Sequence, residues 1–375
     1  MRLAYVVGRY PLASEIFIRR EVEMLRRLGH AVAIWPCGAR EPRRGSPWIG
    51  DSPPGLPERP LRIPWAARTM WRHPRLALRY AHRTDHAAAA LGPADLVLAH
   101  FASETAFCGR SLARIREVPF AVSVHARDVF VPWKPGLAVL CAAQRIFACS
   151  REVHEAVRPR LADRPERLSL IHHGVPEDLF RMERTPRAQK TLLAAGRLVP
   201  KKGFDVLLQA LPRLLPQFPN LSLHIAGTGP LLDRLRKAVS SLNVENCVHF
   251  LGELTQEDLA AEMRRAHVFC APSRIAEDGD RDGIPNVVLE AMAAGLPVVS
   301  CDAGGLGEVV TDYVTGRLVP PEEPEALAVA LLEWLAEPQK ASAAALRAKE
   351  RMRADFSLEK NVRELAAALE GMIGS

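Results

Sequence analysis

Short apolar runs alternate with helical runs along this chain, and this alternation constrains the fold more than any other feature. Residues 3–7 are apolar, Gly8 follows, and after a loop the apolar residues of segment 15–28 recur at helical spacing. Such alternation is typical of a parallel sheet with helices on both faces. The sequence therefore predicts an α/β fold with doubly wound parallel sheets.

The alternation starts afresh after a polar, charged junction at residues 181–190. A chain of 375 residues is also too long for one ordinary core. We therefore predict a first domain at 1–183 and a second at 190–355, with segment 356–375 packing back on the first. The predicted strands are 3–7, 31–35, 96–98, 120–124, 146–149, 192–195, 221–226, 248–251, 268–271 and 298–300. The predicted C-terminal helices are 327–335, 343–352 and 358–372.

Composition excludes several classes of protein. Apolar residues make up 48% of the chain and charged residues 25%, which excludes a disordered chain. No apolar run approaches the roughly 20 residues that span a bilayer, and residues 1–10 do not resemble a signal peptide. The seven cysteines are scattered without a C-x-x-C pair, which argues against a disulfide framework or a zinc ribbon. We expect a cytoplasmic protein.

The net charge of +7 is concentrated in one stretch of the chain. Between Arg40 and Arg83, ten arginines outnumber three acidic residues and are interleaved with Trp48, Trp65 and Trp71. This composition suits an anionic membrane surface, at which the protein would be peripheral, but it also suits a solvated helix in a loop-rich insertion. Nucleic acid is not an expected partner, because no recognition module accompanies the charge.

A basic turn follows the first predicted strand of the second domain. Gly196 and Gly203 bracket it, and it carries Arg197 and Lys202. A planar guanidinium and a compact ammonium suit the two phosphates of a diphosphate, although an exposed basic turn would have the same composition. The next turn, Gly227-Thr228-Gly229, lacks the third glycine of a dinucleotide site.

An acidic loop at 277–286 leads into a predicted helix that carries Glu290. As a calcium loop starting at Asp278 it has Leu289 where a bidentate Glu is required, and as a metal–diphosphate site it offers Asp278 and Asp280. Alternatively, the helix start at Gly283 presents free N–H groups to a phosphate, with Glu290 placed to bind a ribose diol. A plain surface loop would leave Glu290 unexplained among its apolar neighbours.

These motifs together resemble glycosyltransferase family 4. The resemblance rests on segment 197–204, segment 226–230, and Asp282 followed after seven residues by segment 290–299. Segment 10–18, with His100, is similar to the branch acting on colanic acid and other bacterial exopolysaccharides. The resemblance implies the GT-B fold, in which two Rossmann-like domains face a central cleft. It also implies retaining transfer of a sugar from a UDP- or GDP-linked donor to an oligosaccharide or lipid-linked acceptor.

The resemblance also implies roles for individual residues. Arg197 and Lys202 would hold the diphosphate, Glu290 the ribose, and Asp282 would face the donor sugar. His125 would approach the transferred sugar. The remaining donor-binding candidates are Gly8, Gly283, Ile284, Pro285 and Asn286, and the acceptor-side candidates are Ser14, Glu15, His100 and Asp128.

The chain departs from the family pattern at two of these positions. Family members usually have Glu where Asp282 stands, and Gly where Ala126 follows His125. No metal and no cofactor are expected. The alternatives are a catalytically silent scaffold in a polysaccharide assembly complex, and a phosphorylase or sugar-phosphate synthase of the same fold.

Overall fold

The computed structural model describes residues 1–12, 15–38, 84, 87, 91–131, 139–161 and 164–374. It divides into two compact units, of which one comprises Met1–His172 and Asn361–Ser375 and the other His173–Lys360. Segment 181–190 lies within the second unit, because Val175, Leu179 and Phe180 already pack into that unit's core. Both Ser14 and the whole basic stretch from Arg40 to Arg83 lie outside the described residues.

The first unit contains a six-stranded parallel sheet in the order β2-β1-β3-β4-β5-β6. Its strands are β1 Arg2–Val7, β2 Ala31–Pro36, β3 Leu96–His100, β4 Phe120–Val124, β5 Arg145–Ala148 and β6 Leu168–Leu170. Its helices include α1 Ile16–Arg27, α2 Glu104–Arg116, α3 Ala126–Phe130 and α4 Arg151–Val157. The chain order reverses between β1 and β3, which is the switch point where open sheets of this kind bind ligands.

The second unit repeats this architecture with the order β12-β11-β10-β7-β8-β9, also parallel. Its strands are β7 Thr191–Ala195, β8 Ser222–Ala226, β9 Val248–Gly252, β10 Val268–Ala271, β11 Val298–Cys301 and β12 Arg317–Val319. The helices that follow α4 are α5 Glu177–Phe180, α6 Phe204–Leu214, α7 Leu232–Ser241, α8 Gln256–Arg265, α9 Asn286–Ala293, α10 Pro324–Ala336, α11 Pro338–Asp355 and α12 Leu358–Glu370. The switch point lies between β7 and β10.

Helices cover both faces of the second sheet, as the side chains of β7 show. Leu192 and Ala194 are buried in one apolar cluster and Leu193 in another. Successive strand residues point to opposite faces, so two clusters mean that both faces are covered. The predicted α/β, doubly wound fold is therefore confirmed.

The ends of the chain also belong to the first unit, because most of α12 lies in it. Asn361 on this helix donates a hydrogen bond from Nδ2 to the His172 carbonyl, 3.1 Å away. Within the part of the chain that the structure describes, no helix is both long and apolar enough to cross a membrane.

Candidate functional site

The turn after β7 and the loop after β10 lie against each other at the switch point of the second sheet. Gly203, which precedes α6, has φ +62°, and a Cβ there would be 1.8 Å from the Pro272 carbonyl oxygen. Any larger residue would force the two segments apart. The glycine thus fixes the basic turn beside the segment that leads into the acidic loop.

Lys202 lines a small pocket at this switch point. The pocket wall includes Ala195 at the end of β7, Ser273 after β10, and Pro285 and Val288 at the start of α9. The aliphatic part of the lysine packs on Gly196, where an added Cβ would be 3.2 Å from Lys202 Cε. Arg197 is exposed on the same turn and makes no ion pair within the described residues.

The Asp282 carboxylate lies between two lysines. Its Oδ2 is 2.6 Å from Lys202 Nζ, and its Oδ1 is 3.2 Å from Lys201 Nζ. Burial alone would raise the pKa of Asp282, but the ammonium groups of Lys202 and Lys201 outweigh it and hold the pKa below its ordinary value. Asp282 is therefore ionised in this environment.

Lys201 was not among the candidates from the sequence, yet it is the most buried cation of this turn, with 9% of its side chain exposed. Its Nζ is 3.1 Å from Asp280 Oδ1 and 3.4 Å from the Arg281 carbonyl oxygen, besides its contact with Asp282. The sequence contains one signal for this arrangement, namely two adjacent lysines and two alternate aspartates. Their proximity depends on the pairing of β7 with β10.

The acidic loop ends at α9, whose first turn faces the pocket. Pro285 precedes the helix, and Glu290 lies one turn further along it with 7% of its surface exposed. The end of this loop, at Gly283 and Ile284, is fixed by a hydrogen bond. The Gly305 backbone N–H donates it to the Gly283 carbonyl, 2.8 Å away. Asn286 is the first residue of α9. The structure therefore places Lys202 and the start of α9 on one pocket, with Asp282 bound to Lys202.

The glycines of segment 226–230 form a tight turn. A Cβ on Gly227 would be 2.0 Å from the Gly196 carbonyl oxygen, so only glycine allows the turns after β7 and β8 to touch. Leu198 N–H also donates to the Thr228 carbonyl, 2.9 Å away. This segment supports the basic turn.

In the first unit, Gly8, His100 and His125 lie at the carboxyl ends of the adjacent strands β1, β3 and β4. The two imidazole rings have centroids 6.0 Å apart, and Phe101 lies 4.2 Å from His125, centroid to centroid. His100 is 1% exposed and His125 8%. Phe101 and the two histidines thus form one aromatic cluster at the switch point of the first sheet.

Glu21 belongs to this cluster, although the sequence analysis did not single it out. Its Oε1 accepts a hydrogen bond of 2.7 Å from the Tyr5 hydroxyl and lies 3.2 Å from His100 Nε2. Burial first, and the Glu21 charge second, raise the pKa of Tyr5 well above its ordinary value. Glu21 thus fixes the positions of a tyrosine and a histidine from α1.

Asp128 holds the segment that carries His125. Its Oδ2 accepts a hydrogen bond of 2.9 Å from the His125 backbone N–H. Burial raises the pKa of Asp128 from 3.8 to about 6, although backbone hydrogen bonds from His125 and Ala102 oppose this rise. Glu15 precedes α1 without capping it through its side chain. Ser14, the neighbouring acceptor-side candidate, lies outside the described residues.

Two family models match this chain and together extend over most of its length. The model described as Glycosyltransferase Family 4 matches residues 14–179, and that described as Glycosyl transferases group 1 matches residues 177–351. Their junction, near residue 178, falls close to the division between the two structural units.

The chain is also similar to named proteins in sequence and to solved structures in fold. The putative colanic acid biosynthesis glycosyltransferase WcaL of Salmonella typhimurium is 26% identical over 405 residues, covering 99% of this chain and 100% of that protein. A GDP-mannose-dependent phosphatidylinositol monomannoside mannosyltransferase of Mycolicibacterium smegmatis is 36% identical over 45% of this chain and 47% of its own length. The crystal structure of Anabaena HepE in complex with UDP-glucose superposes with a TM-score of 0.73 at 20% identity, covering 99% of this chain and 100% of that one.

Proposed function

The chain belongs to glycosyltransferase family 4, and from this membership we propose that it transfers a sugar from a nucleoside diphosphate to an acceptor hydroxyl. Its fold is the GT-B fold that the sequence predicts. The observation that carries the proposal is the pocket shared by Lys202 and the first turn of α9. Both features offer positive charge to an anion at the switch point of the second sheet.

The leaving nucleoside diphosphate gains negative charge as the sugar departs, and this charge must be stabilised. Lys202, Arg197 and the free N–H groups at the start of α9 are the groups we assign to it. Each well-aimed donor is worth about 3 kcal/mol of barrier. We propose that these groups of the chain suffice and that transfer needs no metal ion.

The other site residues act on the sugar and the ribose in this proposal. Glu290 accepts hydrogen bonds from the ribose diol, while Asp282 faces the donor sugar from the end of the acidic loop. His125 acts from the first unit by hydrogen bonding to a sugar hydroxyl. Gly8, His100 and Asp128 shape its surroundings.

We propose that the anomeric configuration is retained through displacement on a single face of the sugar. The bond between the anomeric carbon and the phosphate oxygen breaks, and the acceptor oxygen bonds to the same face of that carbon. The acceptor proton passes to the departing phosphate oxygen. A covalent route would instead need two carboxyl groups about 5 Å apart across the sugar, and we assign no such pair.

We propose a lipid-linked oligosaccharide as the acceptor and exopolysaccharide synthesis as the process, and the names of two relatives support the second of these assignments. WcaL and an amylovoran biosynthesis glycosyltransferase of Erwinia amylovora are named for such polymers. The names of other relatives and structures include UDP-glucose and GDP-mannose, which supports a UDP- or GDP-linked donor. We further propose that the stretch from Arg40 to Arg83 binds an anionic membrane surface.

The proposal is tested by incubating the protein with UDP- and GDP-linked hexoses and a lipid-linked oligosaccharide acceptor, with and without EDTA. We expect one donor series to be consumed equally in both conditions. The anomeric coupling constant of the product, measured by NMR, should match that of the donor. An inverted product would contradict retention, and loss of turnover in EDTA would contradict metal independence. Folded protein that consumes no donor would favour the scaffold alternative.

A further inference from the structure

Lys201 is not one of the residues that line the pocket, and the hydrogen bonds of its ammonium group go to the acidic loop. An ammonium group has three N–H donors, and three acceptors on consecutive residues lie around Lys201 Nζ. They are Asp280 Oδ1 at 3.1 Å, Asp282 Oδ1 at 3.2 Å and the Arg281 carbonyl oxygen at 3.4 Å. Its donors are therefore accounted for within that loop.

Lys202 has the opposite arrangement. Its ammonium lies 2.6 Å from Asp282 Oδ2, and within the described part of the chain Asp282 is its one ionic partner. Its side chain lines the pocket that we assign to the diphosphate. Asp282 and an incoming diphosphate thus compete for the same ammonium.

The four side chains balance in charge, with two ammonium groups against two carboxylates. All four are largely buried, with between 9% and 15% of each side chain exposed, so solvent screens their interactions only weakly. Without Lys201, these side chains would carry one more net negative charge beside the pocket, which would repel an anion.

We propose that Lys201 is a positioning residue that binds Asp280 and shares the Asp282 carboxylate with Lys202, so that a donor diphosphate can displace Asp282 from the Lys202 ammonium. This inference rests on the proposed nucleotide-sugar function and adds to it a residue that does not touch the donor. Lys201 neutralises part of the charge of the carboxylate that Lys202 contacts.

The charge balance predicts an order of affinities for UDP or GDP, measured by calorimetry on the full chain. Lys201→Met should weaken binding about tenfold, because one positive charge is removed from beside Lys202 and Asp282. Asp282→Asn should tighten binding at least about threefold, because Lys202 loses its competing carboxylate. The double variant should bind like the wild type, because its charges balance again.

This order distinguishes positioning from a purely structural role. A residue that only stabilised the loop would not be rescued by removing its partner, and Asp282→Asn would not then tighten binding. Asp282→Asn should also lower kcat while it tightens nucleotide binding, since its carboxylate faces the sugar. Lys349→Met, which alters a partly buried lysine on α11, is the matched control and should leave affinity unchanged.

Several results would overturn the inference. Unchanged affinity in Lys201→Met, or a double variant as weak as that single variant, would remove Lys201 from this role. If Lys201→Met does not fold, an Asp282→Asn variant that binds no more tightly than the wild type decides against it. Wild-type protein that binds neither UDP nor GDP would overturn the proposed function itself, and with it this assignment.

Discussion

Glu290 is a buried carboxylate that the sequence already marks as a site candidate. It lies among Val288, Leu289 and Met292 on α9 and is nearly as buried as they are. It lies within one turn of Val288, which lines the pocket. The sequence could identify Glu290 because its apolar neighbours and the helix periodicity are local. It could not identify Lys201, whose partners lie about eighty residues away in the chain.

Glu290→Gln should weaken the binding of a ribonucleotide donor about tenfold, because a hydrogen bond to a charged group contributes roughly 1.5–3 kcal/mol. The same substitution should have little effect on a 2'-deoxy donor, which lacks one hydroxyl of the diol. Titration of both donors into both proteins measures this difference. Equal losses for the two donors would argue against the ribose contact.

Asp128 should titrate near pH 6, because burial raises its pKa from 3.8 to about 6. The folded protein then binds this proton more tightly than the unfolded chain does. The resulting stabilisation is fully present below about pH 4 and is lost as the pH rises through 6. A carbon-13 NMR titration of the carboxyl groups, with Asp128→Asn to identify the signal, measures the midpoint. A midpoint near 4 would contradict the burial of this group.

At the scale of the element, it is turns rather than helices and strands that position the groups of the candidate site. The turn after β7 must touch the segment after β10, and Gly203 allows this with both a positive φ and no side chain. The sequence alone shows that a glycine stands in this turn. Which backbone it approaches depends on strand order, which local patterns do not contain.

Gly203→Ala should destabilise the protein considerably more than Gly252→Ala. Both glycines have positive φ, +62° and +71°, so each alanine bears a backbone cost of about 1–2 kcal/mol. Only at Gly203 would the new Cβ also clash, at 1.8 Å from the Pro272 carbonyl oxygen. Free energies of unfolding, compared for the two variants, isolate that contact. Equal losses would show that the two segments can separate freely.

The strands of both sheets were predicted within a few residues where they are central and apolar. β6 and β12 were missed, since each is a three-residue strand at a sheet edge with too few residues to show a pattern. α11 begins at Pro338, earlier than the predicted start at 343, because its first turn is polar and lacks apolar periodicity. Length and apolar content therefore decided which elements could be predicted from the sequence.

At the scale of the whole molecule, each unit has its own switch point with its own kind of chemistry. The second unit presents cations and a helix start, which suit a diphosphate. The first presents His100 and His125 in an aromatic cluster, with Glu21 and Asp128 holding them in place. The sequence predicted that His125 and the basic turn belong to different sheets, because each follows a predicted strand of its own domain.

His125→Ala should therefore lower the rate of sugar transfer about a hundredfold while leaving nucleoside diphosphate affinity within about twofold. The physical reason is that the groups assigned to the diphosphate all belong to the second unit. Transfer kinetics and calorimetry on the same preparation measure both quantities. A large loss of nucleotide affinity would show that the phosphate site is not confined to the second unit.

The most direct test of the central claim is calorimetric titration of the wild-type protein, Lys202→Ala and Lys237→Ala with UDP, GDP and ADP. Lys237 is an exposed lysine on α7 and serves as the control. We predict that one nucleotide binds the wild type and the control equally and binds Lys202→Ala at least about tenfold more weakly. Folded protein that binds none of the three, or a Lys202→Ala variant with unchanged affinity, would contradict a nucleotide-sugar site at this pocket.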